Sequence, residues 1–227
     1  MTGGPNADSI YYTHAGSVPI MSRLSHRARR RIFERFMALM RPSPQDRILD
    51  IGVSLDTGAL EANALERYYP HPSNITCAGL EPSAAVEKVY PGVRFVRIEE
   101  HAPLPFPDKA FDVVYSNAVL EHVGARDRQA AFVREALRVA RRFFIVVPNR
   151  FFPVEHHTGL LLIHYLPPAI FRGFLRRTRW SHWSDEANLN HLTAREFKAL
   201  FEDPQSVEIA YAGVGLGMLS SNIIAHS

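Results

Sequence analysis

The 227-residue sequence contains a single cysteine, Cys77. A lone thiol closes no internal disulfide, which rules out both a disulfide scaffold and a cysteine-rich zinc module. Cys77 sits in the apolar run at residues 75–80 and reads as a small core residue in a reduced, cytoplasmic setting. Lysine is scarce: Lys88, Lys109 and Lys198 are the only three among 26 basic residues, so there is no lysine-rich tail of the kind that binds nucleic acid. No apolar run is long enough to span a bilayer, because the longest, residues 159–174, is broken by His164, Pro167, Pro168 and Arg172. Residues 1–19 lack the apolar core of a signal peptide, and no repeat of solenoid period is visible. Missing too are the Gly-Lys-Ser/Thr of a nucleotide phosphate loop and the G-x-G-x-x-G of a dinucleotide site. Those absences leave phosphoryl transfer without support and oppose a nicotinamide-dependent enzyme.

What is present is ordinary globular material, 46% hydrophobic and 22% charged, enough for one elaborated domain. The net charge of +3 is unevenly spread. Seven arginines between Arg23 and Arg41 face only Asp8 and Glu34 within the first 41 residues, so the N-terminal stretch is basic and the remainder is slightly acidic. Residues 1–44 read as an arm followed by a basic amphipathic helix over 22–40, where Leu24, Ala28, Ile32, Phe36 and Met40 recur every fourth residue. Pro42 and Pro44 end it.

From residue 45 onward the pattern alternates. Apolar strand-like runs occupy 47–51, 75–80, 93–98, 111–115 and 143–147, with helical segments expected over 57–69, 83–90 and 126–140. Strands that are apolar on both faces and separated by helices argue for a parallel sheet covered on both sides. Right-handed crossovers then give a doubly wound, Rossmann-like α/β domain over 45–227. Residues 149–190 are aromatic, basic and proline-bearing, and read as a lid inserted after the fifth strand. Thr193 and Glu196 form a capping box. Two last strands, 207–211 and 219–225, complete a mostly parallel sheet of seven as antiparallel neighbours.

In an open α/β sheet, ligands bind outside the carboxyl ends of the strands. The first strand ends in Asp50-Ile51-Gly52 and the second in Glu81, a carboxylate able to accept two hydrogen bonds from a ribose diol. Taken in order, ILDIG (48–52), GLEPS (79–83) and LPFPDKAFDVVYSNAVLEHV (104–123) resemble the class I S-adenosylmethionine-dependent methyltransferases, nearest to their type-11-like, small-molecule group. The resemblance implies that Asp50 and Gly52 hold the methionine end of S-adenosylmethionine and that Glu81 takes the ribose hydroxyls. It implies that Glu100 meets the adenine amino group, with the backbone amide of His101 beside it. Ser116 and Asn117 would wall the methyl group, and Glu121 and His122 would form the turn near cofactor and substrate. Ser54 and Asp56 stand where that family carries further glycines; side chains at Ser54, Asp56 or Thr57 would then take over binding.

Methyl transfer from a sulfonium needs alignment, and it needs a base only where the acceptor holds a proton. Candidate bases are His122 and the pair His156 and His157, with Glu155 beside them. Glu155, His156, His157 and His164 could supply ligands, but no established zinc spacing is present, so no metal is expected. Aromatic residues of the lid, from Phe151 to Trp183, form its own core or walls for an aromatic or lipid-linked acceptor. Arg172, Arg176, Arg177 and Arg179 beside an apolar run form a solvated face or one that makes peripheral contact with a membrane, and nucleic acid ranks last.

The sequence therefore points to methyl transfer from S-adenosylmethionine to a small organic acceptor, oxygen first, with a non-catalytic binding protein on the same fold as the alternative. The Glu81→Ala variant should bind S-adenosylmethionine about 1–3 kcal/mol more weakly, the cost of leaving buried polar partners unsatisfied. Unchanged affinity in a calorimetric titration would remove Glu81 from the site.

Overall fold

The computed structural model describes residues 19–54, 62–80 and 84–227. The N-terminal arm expected before the first helix, the first part of the helix expected at 57–69, and Asp56, Thr57, Glu81 and Ser83 lie outside the described residues.

All seven expected strands are present: β1 (Ile48–Ile51), β2 (Ile75–Gly79), β3 (Arg94–Arg97), β4 (Phe111–Asn117), β5 (Ala140–Pro148), β6 (Glu208–Ala212) and β7 (Asn222–His226). They form one sheet in the order β3-β2-β1-β4-β5-β7-β6. The first five are mutually parallel, and β7 runs antiparallel between β5 and β6. The order reverses between β1 and β4, so a crevice opens at their carboxyl ends.

Side chains alternate along the inner strands, and each alternate set meets helices on its own face. Ile48, Val113, Tyr115, Phe144 and Val146 pack with Ile32, Phe36 and Met40 of helix α1 (Pro19–Met40) and Leu65 of α2 (Ala64–Tyr68). Leu49, Ile51, Val114, Ile145 and Val147 pack instead with Val133, Ala136 and Val139 of α4 (Arg126–Val139) and with Phe197 of α6 (Ala194–Lys198). A short α3 (Ala84–Val89) leads to β3. The Phe36 ring meets Tyr115 and Phe144 edge-on at 5.3 Å, which locks α1 into the common core. The Thr193–Glu196 capping box forms as the spacing implies and starts α6.

Two expectations shift. The helix placed at 57–69 does not cover residues 62 and 63: α2 starts at Ala64, because Asn63 adopts a left-handed conformation and spends its side chain elsewhere. The last strand starts at Asn222, because Gly217–Leu219 forms a 3-10 turn. No helix among the described residues is long and apolar enough to cross a membrane.

The lid leaves β5 at Asn149 and returns at Leu192, which bridges back to Asn149. It holds one helix, α5 (Pro168–Leu175), opened by Pro168 in the position where its missing N–H costs nothing. Phe171, Leu175, Trp183 and Leu189 make a small core of its own. Gln129, fully buried on α4, donates to the Leu120 and Asn190 carbonyls, and Asn190 N donates to the Glu121 carbonyl, tying the end of the lid to the turn after β4.

Candidate active site

A cleft of about 1220 Å³ lies over the carboxyl ends of β1, β2 and β4, between α1 and the lid. Single-ligand pockets run to roughly 300–1,000 Å³, so two small molecules fit side by side.

The β1 end of the cleft is built on Gly52. Its φ is +92°, and a Cβ there would stand 2.2 Å from Val119 Cγ2, so only glycine suits the turn. Asn63 clamps the next turn with both ends of its amide: Ser54 N donates to its Oδ1 at 2.9 Å, and its Nδ2 donates to the Ser54 carbonyl at 2.8 Å. The loop is thus braced by a side chain where the resembling family uses more glycine, and the Ser54 N–H is taken up inside the protein. Gly52, Ser54, Glu100, His101 and Asn117 all line the cleft. At the β3 end, His101 Nε2 lies 3.3 Å from Glu100 Oε1.

Asp50 and Ser116, two of the expected cofactor contacts, do not line the cleft. The Ser116 hydroxyl donates to the Ile51 carbonyl and joins β4 to β1. Asp50 lies buried beside Glu66 and Cys77; burial first, and then the neighbouring Glu66, push its carboxyl well above the usual range. Ser116 thus faces the backbone of β1, and Asp50 faces Glu66 and Cys77. At Asn117, Nδ2 donates to the Tyr115 hydroxyl while Oδ1, buried, accepts no hydrogen bond. Arg29 of α1, read in the sequence only as part of a basic stretch, reaches over the sheet to donate to the Asn117 carbonyl at 3.4 Å and lines the cleft.

The opposite wall gathers the histidines. His122, in the 3-10 turn after β4, and His156 and His157, just after β5, all line the cleft. No helix runs from 157 to 164, so His157 and His164 do not share a helical face. His157 instead meets His122, with their Nε2 atoms 3.4 Å apart, and both rings pack on buried Trp183. Glu155, fully buried, receives His157 Nδ1 at 2.9 Å, His191 Nε2 at 3.1 Å and the backbone N–H groups of His157 and Thr158. Burial alone would raise the Glu155 carboxyl, but the two imidazoles and the donated hydrogen bonds hold it well below the usual range. His122 donates from Nδ1 to the Asn188 carbonyl at 2.7 Å, and burial keeps it neutral, pulled down to about 3. His156 is likewise lowered by burial to about 3, and its buried Nε2 has no hydrogen-bond partner. His164 is also buried; it hydrogen-bonds the Phe152 carbonyl and does not line the cleft.

Glu121 completes this wall. It is 1% exposed, neither carboxylate oxygen has a hydrogen bond, and burial lifts it to about 7. The resemblance places Glu121 near the substrate, and Glu155 stands beside the candidate bases in the sequence; His191 and Asn188 were not readable, since no periodic pattern links them to the wall.

Residues 49–143 match the family model described as a methyltransferase domain. The matched stretch, from β1 into β5, resembles a methyltransferase domain. The whole fold matches solved structures at low identity. A structure described as PigF with SAH is 16% identical, with 97% of this chain and 67% of that chain covered and a TM-score of 0.56. A SAM-dependent methyltransferase from Aquifex aeolicus is 15% identical over 98% and 99% of the two chains, with a TM-score of 0.56. Magnesium protoporphyrin IX methyltransferase from Synechocystis with bound SAH is 13% identical over 100% and 89%, with a TM-score of 0.55. At such identities these likenesses establish the architecture. No curated protein matches the sequence significantly.

The Glu155→Gln variant should lose about 3 kcal/mol of stability at neutral pH, because it strips a buried charge from two imidazoles that depend on it. A carboxyl with a lowered folded pKa stabilises above its unfolded value and ceases to as the pH falls through the folded one. Denaturant unfolding should therefore show the gap to wild type closing only well below the ordinary carboxylate range. An equal gap at every pH would contradict the charged state assigned to Glu155.

Proposed function

We propose that this protein transfers a methyl group from S-adenosylmethionine to an oxygen of a small organic acceptor. The observation that carries the reading is a two-ended cleft on a methyltransferase domain: strand ends with an unmet acceptor on one side, a buried histidine–carboxylate wall on the other. The residues present fit the cofactor. Its methionine end carries an ammonium and a carboxylate, and the cleft offers Asn117 Oδ1, an acceptor without a donor, beside the Arg29 guanidinium. Glu81, Glu100 and His101 would hold its nucleoside end, and Gly52 and Ser54 would line its course between.

When bound, S-adenosylmethionine supplies an electrophilic methyl on a sulfur that leaves as a neutral thioether. The protein supplies alignment and dryness. Trp183, packed against His122 and His157, would give the acceptor wall an apolar backing. A hydroxyl placed there has Glu121 in the same wall to receive its proton, while His122, His156 and His157 orient it.

One observation favours the non-catalytic alternative: the Ser54 N–H faces Asn63 and is lost to a ligand. Incubation with methyl-labelled S-adenosylmethionine and a panel of phenols and hydroxylated lipids separates the two. The enzyme reading expects label on acceptors with a free hydroxyl and none on their methyl ethers. In the His156→Ala variant, transfer should fall at least tenfold while cofactor affinity holds. Cofactor binding without transfer to any member of the panel would favour the alternative.

The outer surface of the lid suggests where the acceptor resides. Leu161, Leu166, Ile170 and Phe174 are exposed beside Arg176, Arg177 and Arg179. Leu216 and Met218, also exposed, lie on the β6–β7 connection, which Asn149 holds against the root of the lid through the Met218 and Ser220 carbonyls. An apolar face with a cationic border fits an anionic lipid surface. The protein should sediment with vesicles containing phosphatidylglycerol and not with phosphatidylcholine alone, and Ile170→Glu with Phe174→Glu should abolish this. Equal absence from both vesicle types would refute the lipid-facing surface.

A further inference from the structure

We infer that Glu121, His122 and His157 form a binding site for a single divalent transition-metal ion in the acceptor wall of the cleft. The tautomers carry the argument. His122 Nδ1 lies 2.7 Å from the Asn188 carbonyl, which can only accept, so Nδ1 bears the hydrogen. His157 Nδ1 lies 2.9 Å from the Glu155 carboxylate, so it too bears the hydrogen. With Nδ1 as the donor in each ring, the two Nε2 atoms face one another at 3.4 Å as electron-pair donors. A carboxylate joins them: Glu121 Oε1 lies 3.7 Å from His122 Nε2, in a side chain 1% exposed whose oxygens accept no hydrogen bond. Three electron-pair donors thus converge in a buried corner.

The spacing suits an ion. With metal–nitrogen bonds of about 2.0–2.1 Å, two ligands of a tetrahedral site stand about 3.3–3.4 Å apart. The surroundings have the form of an outer shell, in which a carboxylate and a carbonyl orient the ligating rings through their other nitrogens. Glu155 itself is no ligand, because four donors already occupy its oxygens. Two imidazoles and one carboxylate, with the remaining positions open to the cleft, form the donor set of catalytic zinc and of non-haem iron(II) sites. The sequence hides the site because the ligands come from two loops: Glu121 and His122 follow β4, and His157 follows β5.

The role of the ion rests on the methyl-transfer reading, though its existence does not: it would hold an ionisable oxygen of the acceptor, taking over from the free carboxylate. Visible spectroscopy of the chelator-treated full-length protein titrated with Co²⁺ tests it. One Co²⁺ per chain should bind and develop the ligand-field bands of a low-coordinate site. Glu121→Gln and His157→Ala should each lower affinity at least tenfold and lose those bands, Glu155→Gln should cost about 10–100-fold, and His71→Ala should change nothing. Glu121→Gln removes an uncompensated buried charge at constant shape, so it keeps the test sharp if His157→Ala fails to fold. A spectrum without bands, or binding that survives both ligand substitutions, overturns the site. The assay needs neither cofactor nor acceptor, so its failure leaves methyl transfer standing, and an absence of cofactor binding leaves the metal site standing.

Discussion

The acceptor side of the molecule depends on one buried anion. Glu155 has no solvent around it and keeps its charge because four donors converge on it, two from backbone N–H groups and two from His157 and His191. That arrangement fixes which nitrogen of His157 bears hydrogen and which faces the cleft. It also draws together the start of the lid, which carries Glu155 and His157, and its end, which carries His191. The direction of one imidazole and the closure of a forty-residue insertion therefore follow from the same electrostatic requirement.

The cofactor side depends on the sheet. The reversal of strand order between β1 and β4 sets Gly52 and Asn117 beside one another at the mouth of the crevice, and α1, pinned through Phe36, brings Arg29 across to them. Asp50 and Ser116 do their work one layer down: the hydroxyl ties two strands together, and the carboxyl sits in a dry cluster with Glu66 and Cys77.

Much of the fold was legible because it is written in periodic patterns. The apolar runs gave seven strands, the fourfold repeat through Ile32, Phe36 and Met40 gave α1, and the Thr193–Glu196 pair gave the start of α6. The site was legible where a motif ends a strand, as at Gly52, Asn117 and His122. It was opaque where a side chain substitutes for backbone, since the Asn63 clamp on Ser54 spans nine residues and leaves no repeat. It was opaque again where two loops meet. His122 and His157 are 35 positions apart in sequence, yet their Nε2 atoms lie 3.4 Å apart and both rings pack on Trp183. Arg29 was read as one charge among seven, because its reach across the sheet is a property of the helix's placement.

Methyl transfer requires that the strand-end cleft take a sulfonium nucleoside despite its altered first loop. Calorimetric titration of the purified protein with S-adenosylmethionine, its demethylated product and NAD addresses this directly. Saturable binding of both sulfur compounds and none of NAD is expected. Absence of heat with both sulfur compounds, or binding of NAD in their place, would contradict it.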